Sequence, residues 1–261
     1  MKILNRKVFD NSYREKSMSK ILFIADLHGN MVATEALEKE IEIIQPDTIW
    51  FLGDAVGKGP ENHKTVDWVR KNAQHFLSGN WDIGIVEGAK SDSHNPEQDP
   101  CHDAFYQNQL GKERLDWLES LPLEDEVMIS GISFRLFHGR PVDSNYHSYL
   151  SMDELRSGFT DTKGNVHGGF ISADGHMPYI RSIDQGYAIN TGSVGNSLGI
   201  PRCHALLIEG ALGDTTPSPI NFQILSIPYD NQLAAAKADE YPGFPDKEFY
   251  QNEILTGRYR G

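Results

Sequence analysis

The sequence has few cysteines and no long apolar run, and each shortage excludes a class of protein. Only Cys101 and Cys203 are cysteines among the 261 residues, so there is no disulfide framework and no C-x-x-C pair. No apolar segment approaches the roughly 20 residues that a membrane span needs. Two isolated thiols are typical of a reducing compartment. We therefore predict a cytoplasmic protein without a membrane partner.

Positive charge is also scarce. The chain has 24 Lys and Arg against 37 Asp and Glu, which gives a formal net charge of -13. Binding a nucleic-acid duplex through its phosphates requires a basic face, so we exclude a duplex as partner. An acidic protein that acts on anionic phosphates needs a local source of positive charge, and bound metal ions are one such source.

The N-terminal segment differs from the rest of the chain. Residues 1–18 carry scattered charges and lack the apolar stretch of a signal peptide, so we expect a poorly ordered extension. After it, no internal repeat and no linker divides the sequence. We therefore predict one domain over residues 19–261.

Strands and helices alternate in the first third of this domain. Short apolar runs at Ile21–Ala25 and Thr48–Leu52, and a shorter one at His75–Leu77, predict buried strands. Apolar residues recur at helical spacing between 33 and 44, with Asn30 as the expected N-cap, and a second helix is predicted around 66–69. This βαβαβ order predicts parallel strands whose carboxyl ends share one edge.

The remaining sequence predicts a second set of elements. We expect strands at 126–129, 133–137, 169–173, 179–183, 187–189, 205–209 and 222–227, and helices at 105–121, 152–157, 233–238 and 249–255. Polar segments within 83–110 and 141–168 are expected to form loops that wall a site and set its specificity. Tyr106, Tyr146 and Tyr149 in them either contact substrate or simply pack.

Metal-ligating residue types follow the predicted strands in one ordered series. Its members are Asp26, His28, Asp54, Asn80, His138 and His176. Asp26 and His28 flank Leu27, so an extended tripeptide would point both side chains to one side. Carboxylate, amide and imidazole groups in this order are suited to holding two divalent metals side by side, and such a pair catalyses displacement at phosphorus.

The series resembles the calcineurin-like phosphoesterases, whose pattern is D-x-H, G-D-x-x, G-N-H-[DE], H and G-H-x-H. The resemblance runs from about Ile21 to the C-terminus. It implies an α/β fold, a four-layer α/β/β/α sandwich of two mixed sheets flanked by helices. It also implies two divalent ions as cofactors, such as Mn, Fe or Zn. Residues 53–60 are similar to a G-D-x-V-G-Y-G-P loop in a bacterial and archaeal branch, with Lys58 in place of the aromatic residue.

The resemblance also assigns ligands to each ion. Asp54 would bridge the two, Asp26 and His28 would hold the first, and the second would take Asn80, His138 and His176. Pro178 stands where the family has a further histidine, and proline cannot ligate. The first ion is then expected to bind more weakly, unless water, Asp174 or His204 replaces the missing ligand.

Trp81 is the second departure, at the place of the histidine that acts as general acid in the family. Its absence favours good leaving groups such as nucleotides, pyrophosphate or aryl oxides. Relatives that look like dinucleoside polyphosphate hydrolases share a G-N-W-[DE] variant. Trp81 either stacks a base or packs beside Asp54. Among the other histidines, His94, His102 and His147 are candidate substitute acids.

Four further residues complete the predicted site. Asn80 and Arg140 are expected to hold phosphoryl oxygens, although Arg140 is equally well read as a surface arginine. Asp82 is expected to orient a catalytic group. Lys58, Trp81 and Arg140 are the expected substrate contacts.

The sequence therefore predicts a two-metal hydrolase of phosphodiester or phosphoanhydride bonds in small nucleotide-like substrates. The alternative is a scaffold that kept this fold without its chemistry. The six retained ligand-type residues oppose that alternative. A phosphoprotein phosphatase is disfavoured because the arginine motifs of that branch are absent from the sequence. The oligomeric state stays open.

Overall fold

A computed structural model describes residues 18–90, 100–139 and 151–259, without the side chains of 89, 90 and 100–103. The strands are β1 Ser19–Ile24, β2 Thr48–Phe51, β3 His75–Phe76, β4 Glu124–Ile129, β5 Ile132–Phe137, β6 Gly169–Ser172, β7 Tyr179–Ile183, β8 Gly186–Asn190, β9 Cys203–Gly210 and β10 Ile220–Ile227. The helices are α1 Met31–Ile44, α2 Asn62–Asn72, α3 Asn80–Lys90, α4 Pro100–Glu119, α5 Met152–Ser157, α6 Asn231–Lys237 and α7 Lys247–Thr256. The expectation for residues 1–17 falls outside the described ranges.

The strands form two mixed sheets, as predicted. The first has the order β10-β9-β1-β2-β3 and the second β4-β5-β6-β8-β7. β1, β2 and β3 are parallel and are linked by α1 and α2, which confirms the βαβαβ prediction. In the second sheet β5, β6 and β8 are parallel. Each sheet therefore brings several carboxyl strand ends to one edge.

The alternation of side chains along β1 explains its unbroken apolar sequence. Ile21 and Phe23 face the second sheet and join the core between the sheets. Leu22 and Ile24 point the other way and pack with Leu37 in the core beneath the helices. Because both faces of the strand are covered, every position from 21 to 24 is fully buried.

The face of the second sheet that points away from the first sheet packs against a small hydrophobic cluster. The buried members of this cluster are Phe137, Leu155, Phe159, Phe170 and Ala188. Leu155 lies on α5, which Ser151 begins with a capping box to Glu154. In the part of the chain that the structure describes, α5 is the helix that supplies the fourth layer.

α4, Pro100–Glu119, confirms the helix predicted at 105–121 and begins five residues earlier. The loop expected from residue 83 is wrong as far as residue 90, because α3 occupies Asn80–Lys90, and residues 91–99 lie outside the described ranges. Ile85 of α3 and Leu110 of α4 are buried in the core beneath the first sheet, and this burial outweighs the polar and glycine residues nearby. Gly111, at a φ of 65°, interrupts α4.

Asn30 caps α1 as predicted, since its side chain accepts a hydrogen bond from the Ala33 amide. Among the described helices, we find none that is both long enough and apolar enough to cross a membrane.

Candidate metal centre

Five side chains of the predicted series converge where the strands of the two sheets end. Asp26 and His28 follow β1, and Asp54 follows β2. His138 comes directly after β5, and His176 follows β6. All five are almost fully buried, which is unusual for ionisable residues.

The backbone bends sharply at most of these positions. Asp26, His28, Asp54 and His176 have φ values of 55°, 47°, 61° and 54°, in the left-handed region that residues other than glycine seldom adopt. The expected extended tripeptide around Leu27 is therefore wrong, and Asp26 and His28 reach the centre through turns. Such strain persists where the surrounding structure holds it, which is often at functional sites.

One group at the centre consists of Asp26, His28 and His176, whose potential ligand atoms lie within 4.8 Å of one another. The two histidine Nε2 atoms are 3.1 Å apart. His176 Nε2 lies 3.4 Å from Asp26 Oδ1. Two imidazoles and one carboxylate around a common point form a set that divalent transition metals favour.

A second group consists of Asp26, Asp54 and His138. His138 Nε2 is 3.2 Å from Asp54 Oδ2 and 3.7 Å from Asp26 Oδ1. Asn80, the first residue of α3, places its side-chain oxygen 3.1 Å from the same nitrogen. Asp26 belongs to both groups, and Asp54 Oδ2 also lies 3.6 Å from His28 Nε2.

The structure groups His176 differently from the pattern of the family. That pattern puts His176 with the second ion, whereas its potential ligand atom lies beside those of Asp26 and His28. Which ion each residue holds, and the weaker binding expected from Pro178, stay predictions.

A backbone carbonyl fixes the ring orientation of each of the three histidines. His28 Nδ1 lies 2.9 Å from Val56 O and His138 Nδ1 lies 2.7 Å from Leu52 O. His176 Nδ1 lies 2.6 Å from the Asn196 carbonyl. A backbone carbonyl can only accept, so each Nδ1 carries the proton and each Nε2 lone pair faces the centre.

Three oxygens of the buried carboxylates accept no hydrogen bond. Asp26 Oδ1, Asp26 Oδ2 and Asp54 Oδ2 are buried without one among the described residues. Burying a carboxylate oxygen without a donor is costly. The donor set and these orphaned oxygens fit divalent cations.

Two glycines lie so close to predicted ligands that a side chain at either position would collide with them. A Cβ on Gly79 would stand 2.0 Å from Asp54 Oδ1. Gly53, at a φ of 100°, would bring a Cβ to 2.7 Å from His138 Nδ1. Larger residues at either place would displace a predicted ligand.

Different neighbours shift the pKa values of His28 and His138 in opposite directions. Burial and the nearby His176 and Lys58 lower the pKa of His28 well below its usual value. Burial also opposes protonation of His138, but the carboxylates of Asp54 and Asp26 outweigh it and raise its pKa well above that value. A field that draws protons to an imidazole also draws cations.

Asp82 lies behind the centre and supports it. Its carboxylate accepts hydrogen bonds from the amides of Gly79, Asp54 and Ala55 at 2.8–3.1 Å. Burial, with the neighbouring Asp54 carboxylate, raises its pKa to about 7. With no exposed surface, Asp82 is placed to orient the Asp54 loop and not to touch a substrate.

Trp81 packs between the candidate metal centre and the 53–60 loop. Its amide donates to Asp54 Oδ1 at 2.9 Å. Its indole lies against Gly57, where a Cβ would come within 2.2 Å of the ring. The same ring meets the edge of His28 at a centroid distance of 6.0 Å. Both expected roles of Trp81, packing beside Asp54 and facing a ligand, are compatible with this position.

Of the two residues proposed to replace the ligand at 178, Asp174 lies nearer the centre. Its Oδ1 is 4.0 Å from His138 Nε2. His204 has Nδ1 2.8 Å from Ser197 Oγ and Nε2 3.2 Å from Ser226 Oγ, so both nitrogens are engaged away from the centre.

Several predicted site residues fall outside the described structure. These are Arg140, Tyr146, Tyr149, His94 and His147, and the side chain of His102. Lys58 is described, and its Nζ lies 3.3 Å from Glu253 Oε2.

The sequence analysis missed three supporting residues. Ser193 Oγ donates to Asp26 O at 2.9 Å. Asn196 orients His176, and its Nδ2 donates to Glu253 Oε2 at 3.0 Å. The run Thr-Gly-Ser-Val-Gly-Asn after β8, rich in small and turn-forming residues, was the available signal for the first two. No sequence pattern marks Glu253.

The family model described as calcineurin-like phosphoesterase matches residues 19–193. An uncharacterized protein of Methanocaldococcus jannaschii is 27% identical over 192 residues, which cover 68% of this chain and 76% of that protein.

A symmetrical bis(5'-nucleosyl)-tetraphosphatase of Pectobacterium carotovorum is 27% identical over 103 residues, 38% of this chain and 36% of that enzyme. The chain thus matches only about a third of the tetraphosphatase's length.

Two solved structures share the fold. A metallophosphoesterase from Sphaerobacter thermophilus has a TM-score of 0.68 at 24% identity, covering 92% of this chain and 99% of its own. A hypothetical protein from Pyrococcus horikoshii has a TM-score of 0.71 at 16% identity, with the same coverage. At these identities the likeness establishes the two-sheet architecture.

Proposed function

The chain belongs to the calcineurin-like phosphoesterase family, and on this premise we propose that it hydrolyses phosphodiester or phosphoanhydride bonds of nucleotide-like substrates with two divalent metal ions. The observation that carries the proposal is the pair of buried groups that share Asp26. The carboxylate oxygens without hydrogen bonds and the inward-facing imidazoles support binding of cations at both groups.

Divalent ions in these two groups would neutralise phosphoryl charge and clamp the attacking and departing oxygens. The protein's own contribution is to fix that geometry. The Nδ1 contacts of His28, His138 and His176 set the ring orientations. Asn80 has an amide oxygen beside His138 and an NH2 group that can donate to a phosphoryl oxygen.

Two observations support a nucleotide-like substrate. The matched part of the Pectobacterium carotovorum relative belongs to an enzyme named for dinucleoside tetraphosphate cleavage. Trp81 has no titratable group, so the site is suited to leaving groups that need no protonation, and nucleotides and pyrophosphate are such groups. A cytoplasmic location remains a prediction from the two isolated cysteines.

Metal analysis combined with a substrate panel tests the proposal. We expect about two divalent ions per chain and hydrolysis of a dinucleoside polyphosphate or an aryl phosphodiester. Asp54→Asn should abolish turnover and lose metal, because Asp54 Oδ2 lies within reach of both His138 and His28. Its circular dichroism should stay that of the wild type.

Asp184→Asn is a matched control, since the Asp184 side chain is 65% exposed and pairs with Arg156 at the surface. Near wild-type turnover in Asp54→Asn would refute the two-metal mechanism. A metal-loaded wild type that hydrolyses nothing in the panel would favour the non-catalytic scaffold.

A further inference from the structure

An aromatic cleft opens beside the metal centre and shares Trp81 with it. The cleft is partly open to solvent, has a cavity volume of about 40 Å³ and is lined by side chains of α3, α4, α7 and the 53–60 loop. Tyr106, Phe249, Tyr250 and Tyr259 line it together with Trp81, while Lys58 and Glu253 are its buried polar residues. Tyr106 and Tyr250 are almost fully buried, so a flat ligand would stack on the rings of Trp81, Phe249 and Tyr259 at the open side.

The cleft's walls are held in place by packing. The indole of Trp81 meets the ring of Tyr106 edge-on at a centroid distance of 6.2 Å. Gly57 supports the indole, and a Cβ there would overlap it. At the other end Lys58 Nζ lies 5.0 Å from the centroid of the Tyr259 ring. Rings fixed in this way lose little conformational freedom when a ligand binds.

One aromatic side chain of the cleft is partly exposed. Phe249 is 46% exposed, whereas Tyr250, its neighbour in α7, is 3% exposed and packs against Phe244. A ligand ring stacked on Phe249 would remove apolar surface from water.

We propose that this cleft binds a planar aromatic ring of the substrate, such as a nucleobase or an aryl group, while the phosphoryl group lies at the metal centre. The inference rests on the proposed function for what occupies the centre. It adds the place and chemistry of ring recognition. Trp81 is the connecting residue, because its amide contacts Asp54 and its ring forms the cleft wall.

The segment that forms much of the cleft lies beyond the region matched by the family model. Phe249, Glu253 and Tyr259 follow residue 193, where that match ends. The inference therefore concerns a feature of this chain's own C-terminal helix and not of the shared ligand series.

Ligand binding, measured without turnover, tests the inference. AMP and ribose 5-phosphate differ by the base alone, so calorimetric titration of the metal-loaded protein with each isolates the ring's contribution. Stacking on aromatic side chains predicts that AMP binds ~10-fold more tightly. Phe249→Ala and Tyr259→Ala should each bring the two affinities within ~3-fold of one another, mainly by weakening AMP.

Leu255→Ala is the matched control, because Leu255 is 39% exposed on the same helix and does not line the cleft. It should keep the preference for AMP. Phenyl phosphate in the same titration identifies the source of the ring. Binding as tight as that of AMP indicates that any aryl group suffices, and weaker binding indicates a nucleobase.

Equal affinity for AMP and ribose 5-phosphate in the wild type would overturn the inference, as would a preference that survives both variants. These outcomes are separate from failure of the proposed function. A protein that prefers AMP but hydrolyses nothing keeps the cleft and loses the reaction, whereas an active enzyme indifferent to the base keeps the reaction and loses the cleft.

Discussion

Asn196 Nδ2 donates a hydrogen bond to Glu253 Oε2 at 3.0 Å, which ties α7 to the metal centre. The backbone carbonyl of Asn196 in turn holds His176 Nδ1 at 2.6 Å. Lys58 Nζ shares the same Glu253 oxygen at 3.3 Å. A helix near the C-terminus thus orients a predicted ligand that follows β6. Because all of these groups are buried, the chain of contacts is little screened by water.

Glu253→Gln should weaken metal binding at the Asp26–His28–His176 group. Glutamine keeps one acceptor but puts an NH2 group in place of the other oxygen and removes the charge that pairs with Lys58. Partners behind metal-ligating histidines typically contribute 10- to 100-fold to affinity, and this one acts through Asn196, so we expect a loss of ~10-fold. Competition with a chelator, followed by metal analysis, measures it.

Glu248→Gln is the control for that variant, because it makes the same change on an exposed position of α7. Equal metal affinity in both variants would show that Glu253 only stabilises the helix.

Replacing His176 and His138 one at a time should each remove a different metal ion. His176→Ala should lose the ion beside Asp26 and His28, whereas His138→Ala should lose the ion beside Asp26 and Asp54. Anomalous diffraction from crystals of each variant grown with Mn or Zn locates the remaining ion. Loss of the ion at Asp54 in His176→Ala would instead restore the pairing expected from the family pattern.

The path of the chain follows from local sequence patterns, whereas the arrangement of the ligand-type side chains depends on contacts between distant segments. The alternation of apolar runs with helical spacing is local, so β1, α1 and β2 follow from it directly. Whether His176 turns toward His28 or toward Asn80 depends on backbone turns at Asp174 and His176, both at positive φ. Those turns are set by contacts with the 191–197 segment, which no local pattern reveals.

The sequence predicted a helix at 105–121 but did not predict α3 at 80–90 or the first turn of α4. Their polar composition favours loops locally, but α3 and α4 bury Val86 and Tyr106 against each other and the first sheet. Tertiary burial decided the structure there, and the aromatic cleft depends on it.

His204 should make folding stability depend on pH. Burial, together with the nearby Arg202 charge, lowers its pKa from 6.5 to about 4 in the folded protein. Between those values the unfolded chain binds more protons than the folded one, so the free energy of unfolding should fall as pH drops from 6.5 toward 4. Above 6.5 this contribution should be constant.

Urea titrations at several pH values measure the effect. His204→Asn retains polar groups for Ser197 and Ser226 but cannot titrate, so its stability should vary less over the same range. Equal slopes in wild type and variant would assign the pH dependence to other groups.

Trp81 should make the reaction depend on the acidity of the leaving group. The residue follows Asn80 directly and its amide donates to Asp54 Oδ1, and in the pattern of the family this position holds the histidine expected to act as general acid. Indole has no proton to give at neutral pH, and negative charge must stay on the leaving group. Rates across a series of aryl phosphodiesters should fall steeply as the leaving phenol becomes less acidic.

Trp81→His should flatten that dependence and accelerate the poorest leaving groups most, by up to ~10²-fold where the imidazole reaches the oxygen. Trp81→Phe is the matched control, because it removes the indole from Gly57 without adding an acid, and its slope should stay steep. The rates need conditions in which chemistry limits turnover, since slow product release would flatten every series. A wild-type series already insensitive to phenol acidity would show that another acid serves the site, and His94, His102 and His147 are then the residues to replace.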